Sequence, residues 1–154
     1  MIKILFVCHG NICRSPMAEF CMKDIVKKSG IADKFEIASA ATSTEEIGNP
    51  VYPPAKAVLA KHGISCIGKT ARQMTKADYE YYDYIIAMDR FNLKNMKRFV
   101  GDDPEGKVSL LMSHTQRPGD VADPWYTGDF DKTWADVFDG CKCVLDDMNV
   151  KIEY

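Results

Sequence analysis

The apolar run Ile4-Leu5-Phe6-Val7 passes straight into the turn Cys8-His9-Gly10-Asn11-Ile12-Cys13-Arg14-Ser15-Pro16. The helix-patterned Met17-Ala18-Glu19-Phe20-Cys21 follows at once. Few stretches restrict a fold more. A short apolar run bounded by turn residues reads as a buried strand, and the residues after Pro16 as the opening of an amphipathic helix. A helix N-terminus facing such a turn presents free N–H groups and the positive end of its dipole, so an anion site exists before side chains are considered. Gly10 allows close backbone approach, and Asn11 tolerates a left-handed conformation better than most residues. Ser15-Pro16 reads as an N-cap followed by a proline at the first helical position.

Two reactive side chains flank the turn, Cys8 at the strand end and Arg14 at the helix start. Helix-terminal amides and a nearby cation stabilise a thiolate, so Cys8 is expected to react as an anion. Arg14 offers a planar fork matched to two phosphate oxygens. Nucleophile, amide cradle and guanidinium therefore converge on one tetrahedral dianion, with Cys8 attacking phosphorus to give a phosphocysteine. The plainer reading, a buried cysteine closing a strand, accounts for neither the glycine turn nor Arg14.

The same pattern continues along the chain. Residues Pro16 to Lys28 read as the first helix, ending at Gly30, and Phe35 to Ala38 as the second strand. Helices are expected over Pro54 to Lys61, over Thr75 to Tyr81 with Thr75 and Asp78 as a capping pair, and over Asn92 to Phe99. Strands are expected over Tyr84 to Met88 and Val108 to Met112. The closing helix starts near Asp131, with Trp134, Val137, Phe138, Cys141, Val144 or Leu145, and Met148 at helical spacing toward the sheet. This alternation predicts an α/β fold: a parallel sheet with helices on both faces and a ligand at the carboxyl edge of its strands. No repeat or linker divides the 154 residues, so one domain over 1–154 is expected.

Charge and cysteine usage narrow the class. A formal net charge of −2 gives no reason to expect nucleic acid or an anionic membrane as partner. The apolar run after Lys3 is too short for a signal-peptide core, and no run approaches a membrane span. The six cysteines form no C-x2-C pair, and Cys141 and Cys143 are not in a C-x-x-C arrangement, so neither zinc nor a disulfide framework is indicated. No cofactor or metal is expected, and the cytoplasm fits such cysteine usage best. Oligomeric state is left open.

The segment Cys8 to Arg14 followed by Ser-Pro, in the form C-x-G-N-x-C-R-S-P close to residue 1, resembles the low-molecular-weight protein tyrosine phosphatase family. Further stretches carry the likeness: Ser39-Ala40-Ala41-Thr42, Ala71-Arg72-Gln73, Ala87-Met88-Asp89 and Asp123-Pro124-Trp125-Tyr126. The resemblance implies a four-stranded parallel sheet with the phosphate-binding loop after the first strand, formed by His9, Gly10, Asn11, Ile12, Cys13 and Ser15 around the catalytic Cys8 and Arg14. It implies that phosphotyrosine proteins or small aryl phosphates are hydrolysed without a metal. Asn11 and Ser15 match residues that hold the loop's shape and hydrogen-bond the thiolate.

Expelling a phenolate calls for a proton donor. Asp123, beyond the last strand and stiffened by Pro124, is the candidate among several nearby aspartates; the family's D-P-aromatic motif assigns it as general acid, and later as base toward water. Trp125, Tyr126 and Tyr52 are candidate aromatic walls for a phenyl ring. Cys13 matches the cysteine with which the family traps oxidised nucleophile as a reversible disulfide. Lys69 stands where many members have His, which puts a hydrogen-bond network toward Asn11 in doubt. Two other readings compete. An arsenate reductase of the same fold needs relay cysteines on a mobile segment, for which only Cys66 or Cys141 and Cys143 are available. A non-catalytic phosphopeptide-binding module has no use for Cys8 and Asp123 together.

Overall fold

The computed structural model describes residues 1–154. The apolar run extends into strand β1, Ile2–Cys8, which forms the centre of the sheet. Helix α1, Arg14–Lys28, leads to β2, Phe35–Ala41; α2, Pro53–Lys61, and α3, Lys76–Tyr81, precede β3, Tyr84–Ala87. Then follow α4, Arg90–Val100, β4, Val108–Leu110, the one-turn α5, Pro124–Thr127, and the closing α6, Phe130–Asp147. The strand order is β2-β1-β3-β4 and every pairing is parallel.

Side-chain alternation along β1 divides the interior in two. Ile4, Phe6 and Cys8 face one side, among Met17, Cys21 and Ile25 of α1 and Val137, Cys141 and Val144 of α6. Leu5 and Val7 face the other, among Met74, Tyr79, Met96 and Val100 beside α3 and α4. Such two-sided burial is why the strand reads as continuously apolar. The register pairs Cys8 with Ala41 and Val7 with Ala87, so the ends of three strands line up and the loop after Cys8 emerges at their carboxyl edge.

Local expectations hold where local chemistry decides. Thr75 and Asp78 form a reciprocal capping box on α3, and α1 is followed by Gly30 at φ +72°. Three differ. Ser15 is not the N-cap of α1: the helix begins at Arg14, Cys13 occupies the cap position without a side-chain bond, and Pro16 falls third. Its missing N–H is still one of the free donors of the first turn, so the helix tolerates it. The last strand stops at Leu110, because Leu111–His114 coil into a 3-10 turn against α6. Helix α4 starts two residues before Asn92, since Asp89 caps it by accepting from Asn92 N at 2.7 Å.

Candidate active site

The loop brings one backbone N–H and one hydroxyl onto the sulfur. Asn11 N donates to Cys8 Sγ at 3.3 Å, and Ser15 Oγ lies 3.0 Å from the same atom. Asn11 Nδ2 donates to Ser15 Oγ at 2.8 Å, so the serine hydroxyl is free to turn its own hydrogen toward sulfur. That hydrogen bond, and not helix capping, is the use the fold makes of Ser15.

Asn11 holds the loop's shape. Its backbone is left-handed at φ +58°, as its sequence position suggested. The side chain is 1 % exposed and reaches three other segments. Nδ2 donates to Ser39 Oγ at 2.9 Å as well as to Ser15, and Oδ1 accepts from Arg72 N at 3.2 Å. Ser39 donates to Glu19 Oε1 at 2.6 Å, and Lys69 Nζ donates to Ser39 O at 3.0 Å while lying 3.4 Å from Glu19. The network therefore exists with lysine at position 69. Burial pulls the Lys69 ammonium below its ordinary range against the opposing pull of Glu19.

Arg14 is buried to 2 % exposure and anchored through both Nη nitrogens. Nη1 donates to Asp89 Oδ2 at 2.6 Å and to Val121 O at 2.9 Å, and Nη2 donates to Asp123 Oδ2 at 3.4 Å. Burial works against the charge, but the Cys8 sulfur, Asp89 and Asp123 outweigh it and leave the guanidinium above its usual range. Asp123 also caps the short α5, accepting from Trp125 N at 3.1 Å through Oδ1. One carboxylate oxygen is thus structural and the other faces the guanidinium.

These groups surround a cleft of about 410 Å³. Its lining is Cys8, His9, Gly10, Ile12, Cys13 and Arg14 of the loop, with Asp123, Trp125 and Tyr126, and with Glu45 and Glu46 beside His9 and Gly10. Trp125 and Tyr126 expose their rings, as walls for an aryl group must. Tyr52 is not on the wall. It stands behind Trp125, ring centroids 4.8 Å apart, and its backbone N donates to Ile12 O at 2.8 Å. It supports both the tryptophan and the loop.

Cys13 lies 5 % exposed in the same loop. Burial first, then the neighbouring Cys8 and Asp123, push its thiol up to about 12, so it is protonated at neutral pH. None of Cys21, Cys66, Cys141 and Cys143 lines the cleft. Burial pushes the Cys66 and Cys143 thiols up as well.

Sequence reasoning gave no role to Asp89, Val121, Glu45 or Glu46. Asp89 lay in the family-like stretch Ala87-Met88-Asp89 and opened an Asp-x-x-Asn cap pattern, but neither signal pointed to Arg14. His9 bonds Glu45 at 2.9 Å, a contact across 36 positions with no local signature.

Comparison with known proteins agrees with this geometry. Residues 3–153 match the family model described as low molecular weight phosphotyrosine protein phosphatase. The low molecular weight protein-tyrosine-phosphatase YfkJ of Bacillus subtilis is 38 % identical over 147 residues, covering 94 % of each chain. Its crystal structure superposes with a TM-score of 0.93 over 97 % of this chain and 95 % of that one. The low molecular weight phosphotyrosine protein phosphatase of Gallus gallus is 40 % identical over 148 residues, 93 % of each. With fold, loop and near full-length similarity in agreement, the chain belongs to the low molecular weight phosphotyrosine protein phosphatase family.

Proposed function

We propose that residues 1–154 act as one catalytic domain that hydrolyses phosphotyrosine and small aryl phosphate monoesters through a phosphocysteine. The observation that carries this reading is the convergence of Cys8 Sγ, the loop amides, Arg14 and Asp123 on one aryl-walled cleft. The Cys8 thiolate attacks phosphorus in line with the aryl oxygen. As the P–O bond breaks, Asp123 gives its proton to the departing phenolate, and Arg14 with the loop N–H groups holds the equatorial oxygens. A dianion in the loop competes with Asp123 for Arg14 Nη2. In the second half, Asp123 takes a proton from water, the water oxygen attacks phosphorus, and the P–S bond breaks to restore the thiolate and release phosphate. The positive charge and the donors come from the protein itself.

The competing readings lack support of this kind. Thiols away from the cleft offer no relay for arsenate reduction, and a module that only binds gains nothing from a carboxylate beside a nucleophile. No helix is long and apolar enough to cross a membrane, and a loop with two thiols works only where they stay reduced, so the proposed setting is the cytoplasm. The test is turnover of 4-nitrophenyl phosphate and a phosphotyrosine peptide in the presence of a chelator, with acid-quenched protein analysed for a phosphoryl adduct on Cys8. Turnover that persists in Cys8→Ser, or an adduct elsewhere, overturns the proposal.

A further inference from the structure

A second, wholly polar depression of about 300 Å³ lies beside the catalytic cleft and shares one residue with it, His9. Thr42, Ser43, Lys94, Asn95 and Arg98 complete its lining, with no apolar residue among them. Lys94 and Arg98 sit four apart on α4 and so project from one face of the helix. Like charges at that spacing repel, and neither cation is in an ion pair, although Arg90, one turn earlier on the same helix, pairs with Asp120. Arg98 is held in place, donating Nη2 to Thr42 O. Two positive side chains therefore face a polar cavity whose lining holds no acidic residue, the neighbouring Glu45 being engaged by His9 at 2.9 Å.

The wall supplies an independent sign of a missing acceptor or donor. Thr42 is 1 % exposed, and its Oγ1 is the one buried side-chain oxygen or nitrogen in the protein with no hydrogen-bond partner. An orphaned buried hydroxyl is costly, and native structures rarely keep one without a use. It is also tied to the catalytic loop. Thr42 N donates to Cys8 O at 2.9 Å, Ser43 N to His9 O at 3.1 Å, and Ser43 Oγ to His9 O at 2.9 Å. The depression is thus fixed relative to the nucleophile by the backbone of the two residues that begin the loop.

We propose that this depression is an oxyanion subsite that takes a second acidic group of the substrate, a carboxylate or phosphoryl group on a residue flanking the phosphotyrosine. Lys94 and Arg98 supply the charge, and Thr42 Oγ1 and Asn95 the hydrogen bonds. This rests on the phosphotyrosine reading of the neighbouring cleft. A free small anion lacks the tether that holds a flanking residue there, so the peptide is the source that gains most from two sites acting together. Both cations belong to α4, so an acidic neighbour is favoured only on the α4 side of the phosphotyrosine.

The test uses phosphotyrosine peptides carrying Ala, Glu or phosphoserine at each flanking position, with phenyl phosphate as a substrate too small to reach the subsite. For the unmodified protein, kcat/KM should rise about tenfold for Glu, and more for phosphoserine, on one side of the phosphotyrosine only, and the gain should disappear in high salt. Lys94→Glu should abolish or reverse the preference, Lys94→Met should remove most of it, and both should retain phenyl phosphate turnover. Thr42→Val, which keeps the shape and removes the hydroxyl, should reduce the phosphoserine gain. Equal kcat/KM across the panel overturns the subsite, as does a preference that survives Lys94→Glu. So does a response confined to free inorganic phosphate. The same peptides titrated into Cys8→Ser protein, read by NMR at the Thr42 and Ser43 amides, report on the subsite without turnover. Failure of phenyl phosphate hydrolysis would count against the phosphatase reading alone.

Discussion

Arg14 and Asp89, 75 positions apart, meet through a 2.6 Å contact between side chains only 3 % and 14 % exposed. The carboxylate holds the guanidinium from its outer side, while the Val121 carbonyl shares the same nitrogen. A buried bidentate donor is useful only if its plane is fixed before substrate arrives. Asp89→Asn keeps an oxygen for the α4 cap but loses the charge. We expect kcat/KM for aryl phosphates to fall about tenfold to a hundredfold, roughly 1.4 to 2.8 kcal/mol of transition-state stabilisation. Asn92→Ala, which disturbs the same cap without touching Arg14, should lower the melting temperature and leave the Michaelis constant near its starting value. Steady-state kinetics of the two variants side by side separate positioning from capping.

Asp123 faces Arg14 with one oxygen and caps α5 with the other. If it protonates the leaving group, its removal matters in proportion to how much help that group needs. Asp123→Ala should slow esters of poorly acidic phenols by about a hundredfold or more, and esters of strongly acidic phenols far less. A plot of log rate against leaving-group acidity should steepen in the variant. Equal losses across the series would take Asp123 out of this role.

Cys13 is protonated at neutral pH because burial, Cys8 and Asp123 all disfavour its anion. It therefore does not compete with Cys8 for phosphorus and becomes reactive only when Cys8 is oxidised and its charge is gone. After a brief peroxide pulse, activity should return with thiol reductant in the unmodified protein but not in Cys13→Ser, whose Cys8 proceeds to irreversible oxidation. Closure of the Cys8–Cys13 bond, followed by mass spectrometry, should quicken about tenfold per pH unit as the thiolate fraction of Cys13 grows. The shift also has a stability sign. The native state holds this proton more tightly than the unfolded chain, so its contribution is complete below the ordinary thiol value of 9.0 and is lost as pH rises toward about 12. Denaturant titrations of Cys13→Ala should show a flatter alkaline limb.

Gly140 lies in the middle of α6, where alanine would ordinarily help by about 1 kcal/mol. A Cβ there would meet Leu111 Cγ, Cδ1 and Cδ2 at 2.5, 2.8 and 2.9 Å, and Leu111 is fully buried. Overpacking of this kind costs about 1–3 kcal/mol, so Gly140→Ala should lower the melting temperature, by roughly 2–4 °C for each kcal/mol of net loss. Gly140→Ala combined with Leu111→Ala should recover part of the α6 packing, and a calorimetric series would show it as non-additivity.

The residues legible in the chain are those whose chemistry is contiguous. Cys8, Gly10, Asn11 and Arg14 fall within one turn between a strand and a helix, so spacing brings them into view, whereas Asp123, one of several nearby aspartates, stood out only through its likeness to the family's D-P-aromatic motif. Parallel topology was legible for a similar reason, because strands and helices alternate without a break. The Ser-Pro pair misled only as a capping signal: Ser15 instead lies 3.0 Å from Cys8 Sγ, the contact that the family likeness implied. Tyr52 misled because an aromatic near a site has no local mark telling a wall from the support behind it. Asp89, Glu45 and Thr42 could not be placed from the sequence: each acts on a residue 34 to 75 positions away, across strands whose register only the folded sheet sets.

The clasp on Asn11 has a consequence for the newly made chain. Its partners are Ser15, Ser39 and the backbone of Arg72, so the left-handed kink is secured only after sixty-odd further residues have been synthesised and seated. Until then the nucleophile and its cation are present but ungripped, and the polypeptide stays silent toward phosphate esters. On refolding from denaturant, enzymatic competence should therefore return with the slowest structural phase rather than with early helix formation, which makes hydrolysis itself a clock for the completion of folding.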